Sequence, residues 1–261
     1  MDKLYRYRAI TERSVFGIEA NEFYFASPSD FNDPFDCKNL ITFNGASDSD
    51  WRIFLTNFLV HKEPNLTEQS RKEAVEKVIR SGEHRSREKL AELGVIWGQI
   101  LENQSRKLGV VCLSEQPDDI LMWAHYGNSH RGFCLEFDAE VLRKYCYCSR
   151  VRYLKHYPTF SEFVRADPEE CARTFVLTKS NHWEYEKEVR LVRSAETEDG
   201  RELGRVVKYP QDSLTGIIFG CSITDEDKKR VTEAVIKNGA NVTLYQCVKS
   251  GSSYSVKIET I

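Results

Sequence analysis

A change of period constrains this chain more than any other feature. From about 47 to 107, apolar residues recur at three- and four-residue spacing, as in Ala74, Val75, Val78 and Ile79, among Glu, Lys, Arg, Ala and Leu. That spacing is helical and predicts one helix after Trp51 and a longer pair on either side of Ser81-Gly82. On both flanks the residues turn aromatic and β-branched, often in alternation, which predicts strands. The expected fold is α+β: a single domain over 1–261, with one β-rich core and a helical insertion at about 47–107.

Ahead of the insertion, 4–10 and 22–26 read as strands joined by a turn-like segment with Gly17. Ser27-Pro28-Ser29-Asp30 and Asn32-Asp33-Pro34 then supply cap and turn chemistry. Beyond it, 108–113, 131–137 and 151–154 read as strands, with helices over 120–126 and 171–178. Strands over 205–208 and 216–220 lead to a helix over 225–237, and 242–248 with 254–258 predict a hairpin across Ser250-Gly251-Ser252. The stretch from Asn181 to Val192 reads as one continuous strand. A period of two would put Glu184, Glu186, Glu188 and Arg190 on one face and Tyr185, Val189 and Leu191 on the other. Such a face is either a wet edge or the floor of a polar site.

Composition limits the function. A net charge of −3 gives no support to bulk binding of nucleic acid or an anionic membrane, and leaves open only a local basic groove. No stretch approaches the ~20 apolar residues that span a bilayer, and Met-Asp-Lys-Leu-Tyr-Arg is no signal peptide, so a cytoplasmic protein is expected. Eight cysteines, at 37, 112, 134, 146, 148, 171, 221 and 247, include no Cys-x-x-Cys and no paired Cys/His knuckle. They read as free thiols in a reducing compartment, not as zinc ligands or disulfides. Gly-x-Gly-x-x-Gly, the P-loop, Gly-x-Ser-x-Gly and His-Glu-x-x-His are all absent, which argues against the enzyme classes they mark.

What remains is a set of polar groups in apolar or aromatic surroundings. Arg6 and Arg8 share a face of the first strand, and Tyr24 and Ser27 end the second. Ser114, His125 and Tyr126 flank the middle helix, and Glu186 and Glu188 occupy the late strand. Taken singly, each has an ordinary structural reading: an edge-covering arginine, a core tyrosine, a satisfied helix histidine, a solvated glutamate face.

Taken together they carry two resemblances. Leu-Tyr-Arg-Tyr, Tyr-Phe-Ala-Ser-Pro-Ser-Asp-Phe-Asn-Asp-Pro-Phe-Asp, Met-Trp-Ala-His-Tyr-Gly, Arg-Gly-Phe-Cys-Leu-Glu-Phe and Trp-Glu-Tyr-Glu-Lys-Glu-Val-Arg-Leu resemble a widespread bacterial family known only as a domain of unknown function. The second resemblance is to the ADP-ribosyltransferases. Leu4-Tyr5-Arg6-Tyr7 looks like their first motif, Tyr24-Phe25-Ala26-Ser27 followed by Ser29 like the second, and Glu186-Lys187-Glu188-Val189 like the Glu-x-Glu-Val of the arginine-modifying branch.

That second resemblance implies an ADP-ribosyltransferase-like fold and an enzyme that consumes NAD without a metal, transferring ADP-ribose to an unknown macromolecule or to water. It implies a toxin, or an effector of defence against phage. Glu188 would stabilise the oxocarbenium-like transition state and Glu186 would orient or deprotonate the acceptor. Arg6 would hold the ribose or pyrophosphate, Tyr24 would stack on nicotinamide, and Ser27 would brace Glu188. Ser114, His125 and Tyr126 join the NAD-binding set. The usual Ser-Thr-Ser is absent, and Ser114 competes with Ser27 as the serine of the middle motif.

Two other classes stand beside it. Asp33, Asp36, His125 and His130 are of the types that bind magnesium or manganese in a nucleic-acid- or nucleotide-processing protein. Alternatively, Glu184 to Arg190 form an internal ion-pair network in a non-catalytic interaction module.

Overall fold

The computed structural model describes residues 3–37, 41–197 and 201–261. In chain order it begins with β1 (Lys3–Arg8), α1 (Glu12–Glu19) and β2 (Glu22–Tyr24). The helices α2 (Asp48–Lys62), α3 (Glu68–Ser81) and α4 (Arg87–Arg106) follow. Next come β3 (Leu108–Ser114), α5 (Ile120–His125), β4 (Phe133–Asp138), α6 (Ala139–Tyr145), β5 (Tyr147–Arg150) and β6 (Arg152–Leu154). Two more helices, α7 (Phe160–Arg165) and α8 (Pro168–Val176), precede β7 (Thr178–Ser180) and β8 (Glu188–Ser194). The chain closes with β9 (Val206–Lys208), β10 (Leu214–Phe219), α9 (Asp225–Asn238), β11 (Thr243–Lys249) and β12 (Val256–Thr260).

These elements gather into two compact units. Met1–Phe31, Arg106–Tyr153 and Asn181–Ile261 make the first, and Asn32–Ser105 and Leu154–Ser180 the second. The helical block expected at about 47–107 falls in the second unit as far as Ser105, and that unit also takes in 154–180.

The first unit is mixed α/β. Its main sheet runs β12-β11-β10-β4-β1-β3-β8-β5. All its pairings are antiparallel except β10 with β11, which α9 connects as a crossover. The expected hairpin is present as β11 and β12, with Lys249 opposite Val256. Alternation gives the sheet two apolar faces. Leu4, Leu113, Leu135, Phe137, Val189 and Ile217 point to one, where Ile18 of α1 and Val231 of α9 cover them. Tyr7, Cys134, Ile218 and Cys247 point to the other and meet Met122 and Trp123 of α5. Trp123 is wholly buried and its indole N–H donates to Pro117 O at 2.9 Å, so its one polar atom is satisfied.

The segment read as a turn around Gly17 is instead α1. Thr11 and Ser14 form a capping box, and Val15 and Ile18 supply the buried stripe. Helix α6 and strand β5 also stand in a segment for which no element is expected above; Asp138 starts α6 by accepting from Glu140 N and Val141 N. The late stretch differs most from expectation: Asn181–Glu186 is a 3₁₀ turn, and β8 starts only at Glu188. Lys187, at φ 43°, makes the corner, in a backbone region that costs a non-glycine residue roughly 1–2 kcal/mol. Glu184, Glu186 and Glu188 therefore do not line one strand face. Tertiary contacts of the buried Glu186 override the β-propensity of its neighbours.

The second unit is helical. Ser47 and Asp50 form a capping box at the start of α2, and Gly82, at φ 71°, ends α3 in the left-handed conformation that glycine adopts without strain. Trp51, Val75, Ile79 and Phe160 make its core, with the Trp51 and Phe160 rings 4.5 Å apart. Asp50 also accepts from Ser161 Oγ at 2.8 Å and Arg165 Nε at 2.7 Å. Ser47's hydroxyl and amide, ahead of these partners, hold its carboxyl well below the usual carboxylate range.

Candidate functional site

Two polar clusters occupy the first unit, and the predicted residues divide between them. The first is built where β3 and β8 pair. Their register puts Ser114 opposite Glu188 and Cys112 opposite Arg190, and Tyr5 of β1 lies opposite Ser114. These residues share the α5 side of the sheet, because the intervening Leu113 and Val189 belong to the other face.

Glu188 and Arg190, two residues apart on one face, form a bidentate ion pair, Nε to Oε1 at 2.7 Å and Nη2 to Oε2 at 3.0 Å. Both are buried, at 4% and 0% exposure, and the guanidinium lies 5.2 Å from the Phe31 ring centroid. The Glu188 backbone N–H donates to Tyr153 Oη at 2.7 Å. Across the Lys187 corner, Glu186 is also buried, and its Oε1 accepts from Tyr126 Oη at 2.7 Å. The Ser114 hydroxyl donates to Glu186 O at 2.7 Å and accepts from Gln116 N at 3.0 Å. His125 stands in an aromatic group, its ring 6.3 Å from Trp183 and 6.4 Å from Tyr185. Asp119, the N-cap of α5, fixes the helix that carries His125, with Tyr126 at its C-cap.

Glu186, Glu188, Ser114, Tyr126 and His125 are thus brought into one neighbourhood. Ser27 is buried at the start of a short 3₁₀ turn and hydrogen-bonds Ser29 Oγ at 2.7 Å. Ser114 reaches the backbone of the glutamate stretch at Glu186 O.

Arg6 and Tyr24 belong to the second cluster, on the α1 side of the sheet. Arg6 alternates with Tyr5 and Tyr7, lies opposite Leu135, and has its guanidinium 5.1 Å from the Phe23 ring centroid. It lines a cavity of about 230 Å³ with Arg8, Arg13, Phe23, Tyr24 and Leu135. Arg13, on the first turn of α1, stacks on Tyr24 at 4.0 Å. Burial, and then the charge of Arg8, pulls Arg6 down to about 9. Burial and then Arg13 lower Arg8. The structure therefore does not bring Arg6 and Tyr24 together with the carboxylates. Reading 11–20 as a turn hid Arg13; the Thr11-x-x-Ser14 spacing was the signal for its helix.

The residues of the metal reading divide between the two units. Asp33 and Asp36 lie in the second unit, and His125 and His130 in the first. Asp33 accepts from Phe35 N at 2.9 Å, and buried Asp36 pairs with Lys179 at 3.5 Å. Among the described residues no three His, Cys, Asp or Glu side chains gather as a metal site. Nor is any described helix long and apolar enough to cross a membrane.

Residues 122–191 match the model of a family described as a protein of unknown function (DUF2971). The match covers Tyr126, Glu186, Glu188 and Arg190 of the first cluster, and not Arg6, Arg8, Arg13 or Tyr24 of the second. No curated protein and no solved structure matches the chain.

Proposed function

We propose that the first unit is an ADP-ribosyltransferase-like enzyme that consumes NAD, with a macromolecule or water as acceptor, acting as a bacterial toxin or an effector of defence against phage. The observation that carries this reading is the pairing of two buried carboxylates, Glu186 and Glu188, each held by a different partner. Loss of nicotinamide develops positive charge on the ribose, and a fixed carboxylate in a dry site stabilises it far better than one in water. Glu188, oriented by Arg190, takes that role. Glu186, set at an angle by the Lys187 corner and held by Tyr126, is placed to orient or deprotonate the acceptor. The aromatic group of His125, Trp183 and Tyr185 offers flat surfaces for the nicotinamide ring. Arg6 and Tyr24 take no part, being on the other face of the sheet.

The test is nicotinamide release from NAD by purified protein, beside Glu186→Gln and Glu188→Gln, with folding followed by circular dichroism. Glu186→Gln keeps an acceptor for Tyr126 and so separates chemistry from folding if Glu188→Gln, which breaks an ion pair, does not fold. Release that falls by roughly a hundredfold or more in a folded variant supports the enzyme. An absence of both release and any NAD-dependent thermal shift in the wild type sinks it.

A further inference from the structure

We propose that the cavity bounded by Arg6, Arg8, Arg13 and Tyr24 binds a mononucleotide through its phosphate, at a site separate from the carboxylates on the opposite face of the sheet. The inference does not rest on the NAD reading.

Charge is the first ground. Three guanidiniums line one small cavity, and among the described residues none of the three has a carboxylate oxygen within 4.0 Å. Glu22 also lines the cavity but forms no ion pair with them. Elsewhere in the same unit the pattern is different: Arg190 pairs with Glu188, Arg150 with Glu115, and Arg205 donates to the carbonyls of Phe25, Leu108 and Arg106. Arg6 and Arg8 are half-buried, and their charged forms are penalised by burial and then by a neighbouring cation, Arg8 for Arg6 and Arg13 for Arg8. The like-charge repulsion among these cations is a cost that an anion bound between them would offset. Planar guanidiniums with several donors suit the oxygens of a phosphate.

Shape is the second ground. At about 230 Å³ the cavity is below the ~300–1,000 Å³ that encloses a drug-sized molecule. It has room for a phosphate and adjoining sugar, while a dinucleotide would not fit inside. Flat and apolar surface lies along the same lining: Tyr24 with Arg13 stacked on it, Phe16 at 57% exposure and Val206 at 49%. A purine base set against the Arg13–Tyr24 pair would cover that surface, since bases stack readily on arginine and aromatic planes. The inorganic ion alone would leave it bare, which favours a nucleotide.

The site is built by local structure. A period of two sends Arg6 and Arg8 to one face of β1, where they oppose Leu135 and Phe133 of β4. The capping box of Thr11 and Ser14 fixes the first turn of α1 and so the position of Arg13.

Calorimetry on the full chain with AMP, inorganic phosphate and adenosine as probes tests the proposal, with Arg8→Gln and Arg13→Gln beside the wild type. Arg13 is exposed, so its variant keeps the test open if Arg8→Gln does not fold. The expected result is that AMP binds more tightly than phosphate, adenosine does not bind measurably, and each variant weakens AMP by roughly tenfold or more. Undetectable binding of AMP and phosphate at millimolar concentration overturns the proposal. So does AMP binding that both folded variants retain, or adenosine binding as tight as that of AMP. Because none of the three probes is NAD, failure here leaves the NAD reading standing, and the reverse also holds.

Discussion

The two faces of the main sheet treat buried charge in opposite ways. On the α5 face every named carboxylate has its partner from the fold: Arg190 for Glu188, Tyr126 for Glu186. On the α1 face Arg6, Arg8 and Arg13 line a cavity with no carboxylate paired to them. The first arrangement is complete without a ligand and depends on all its members. The second is held apart by like-charge repulsion and is completed from outside. Burial alone would not tell them apart; the presence or absence of counter-charge does.

One substitution made on both faces gives the sharpest test. Arg190→Met removes the bidentate partner of the buried Glu188 carboxylate, and the expected loss is about 3–5 kcal/mol in urea unfolding. Arg8→Met removes a cation that has no partner to abandon, and is expected to change stability by less than about 1 kcal/mol in either direction. Equal losses at the two positions would mean that Arg8 has a counter-charge in solution, and the contrast between faces would fail.

A smaller effect is expected at Tyr126→Phe. The substitution keeps the ring and removes the hydroxyl that donates to Glu186 Oε1 at 2.7 Å. A buried acceptor losing such a donor costs about 1–3 kcal/mol. The urea midpoint reports the loss, and an unchanged midpoint would mean that water or another donor reaches Glu186, making that carboxylate less fixed than its burial suggests.

How much of this the sequence carried depended on how local each signal was. The helices around Ser81-Gly82 and the hairpin from 243 to 260 were legible because periodicity, a left-handed glycine and a serine-rich turn all lie within a few residues. The pairing of Ser114 with Glu188 was not legible, because register between strands 74 residues apart leaves no local trace. The glutamate stretch was misread as a strand for a physical reason. Its alternation of aromatic and charged residues is equally compatible with a 3₁₀ turn once Tyr126 and Ser114 satisfy Glu186, and those partners are about 60 to 70 residues away. The Arg6–Arg8 face was legible from period two, but its third member needed the helix α1 to bring Arg13 over Tyr24. The grouping of Arg6 with Glu188, implied by motif order, could not reveal that β1 and β8 direct those two side chains to opposite faces.

The smallest effect is expected at Arg13→Ala, and salt dependence is its signature. Arg13 is exposed and stacks on Tyr24 at 4.0 Å, a contact that contributes about 0.5–1 kcal/mol at an exposed site. Its charge also opposes that of Arg8, so the substitution removes a favourable and an unfavourable contribution together. The net change should stay within about 0.5 kcal/mol near physiological salt. Ionic strength separates the two contributions, because stacking persists while repulsion is screened over about 10 Å at 0.1 M and about 3 Å at 1 M. The variant should therefore gain on the wild type as salt is lowered and fall behind it as salt is raised. The Glu188–Arg190 pair, buried on the other face, should show little of this response, so Arg190→Met serves as the control. A difference between Arg13→Ala and wild type that ignores salt would show that the three arginines do not repel one another, and would remove the physical reason for expecting an anion among them.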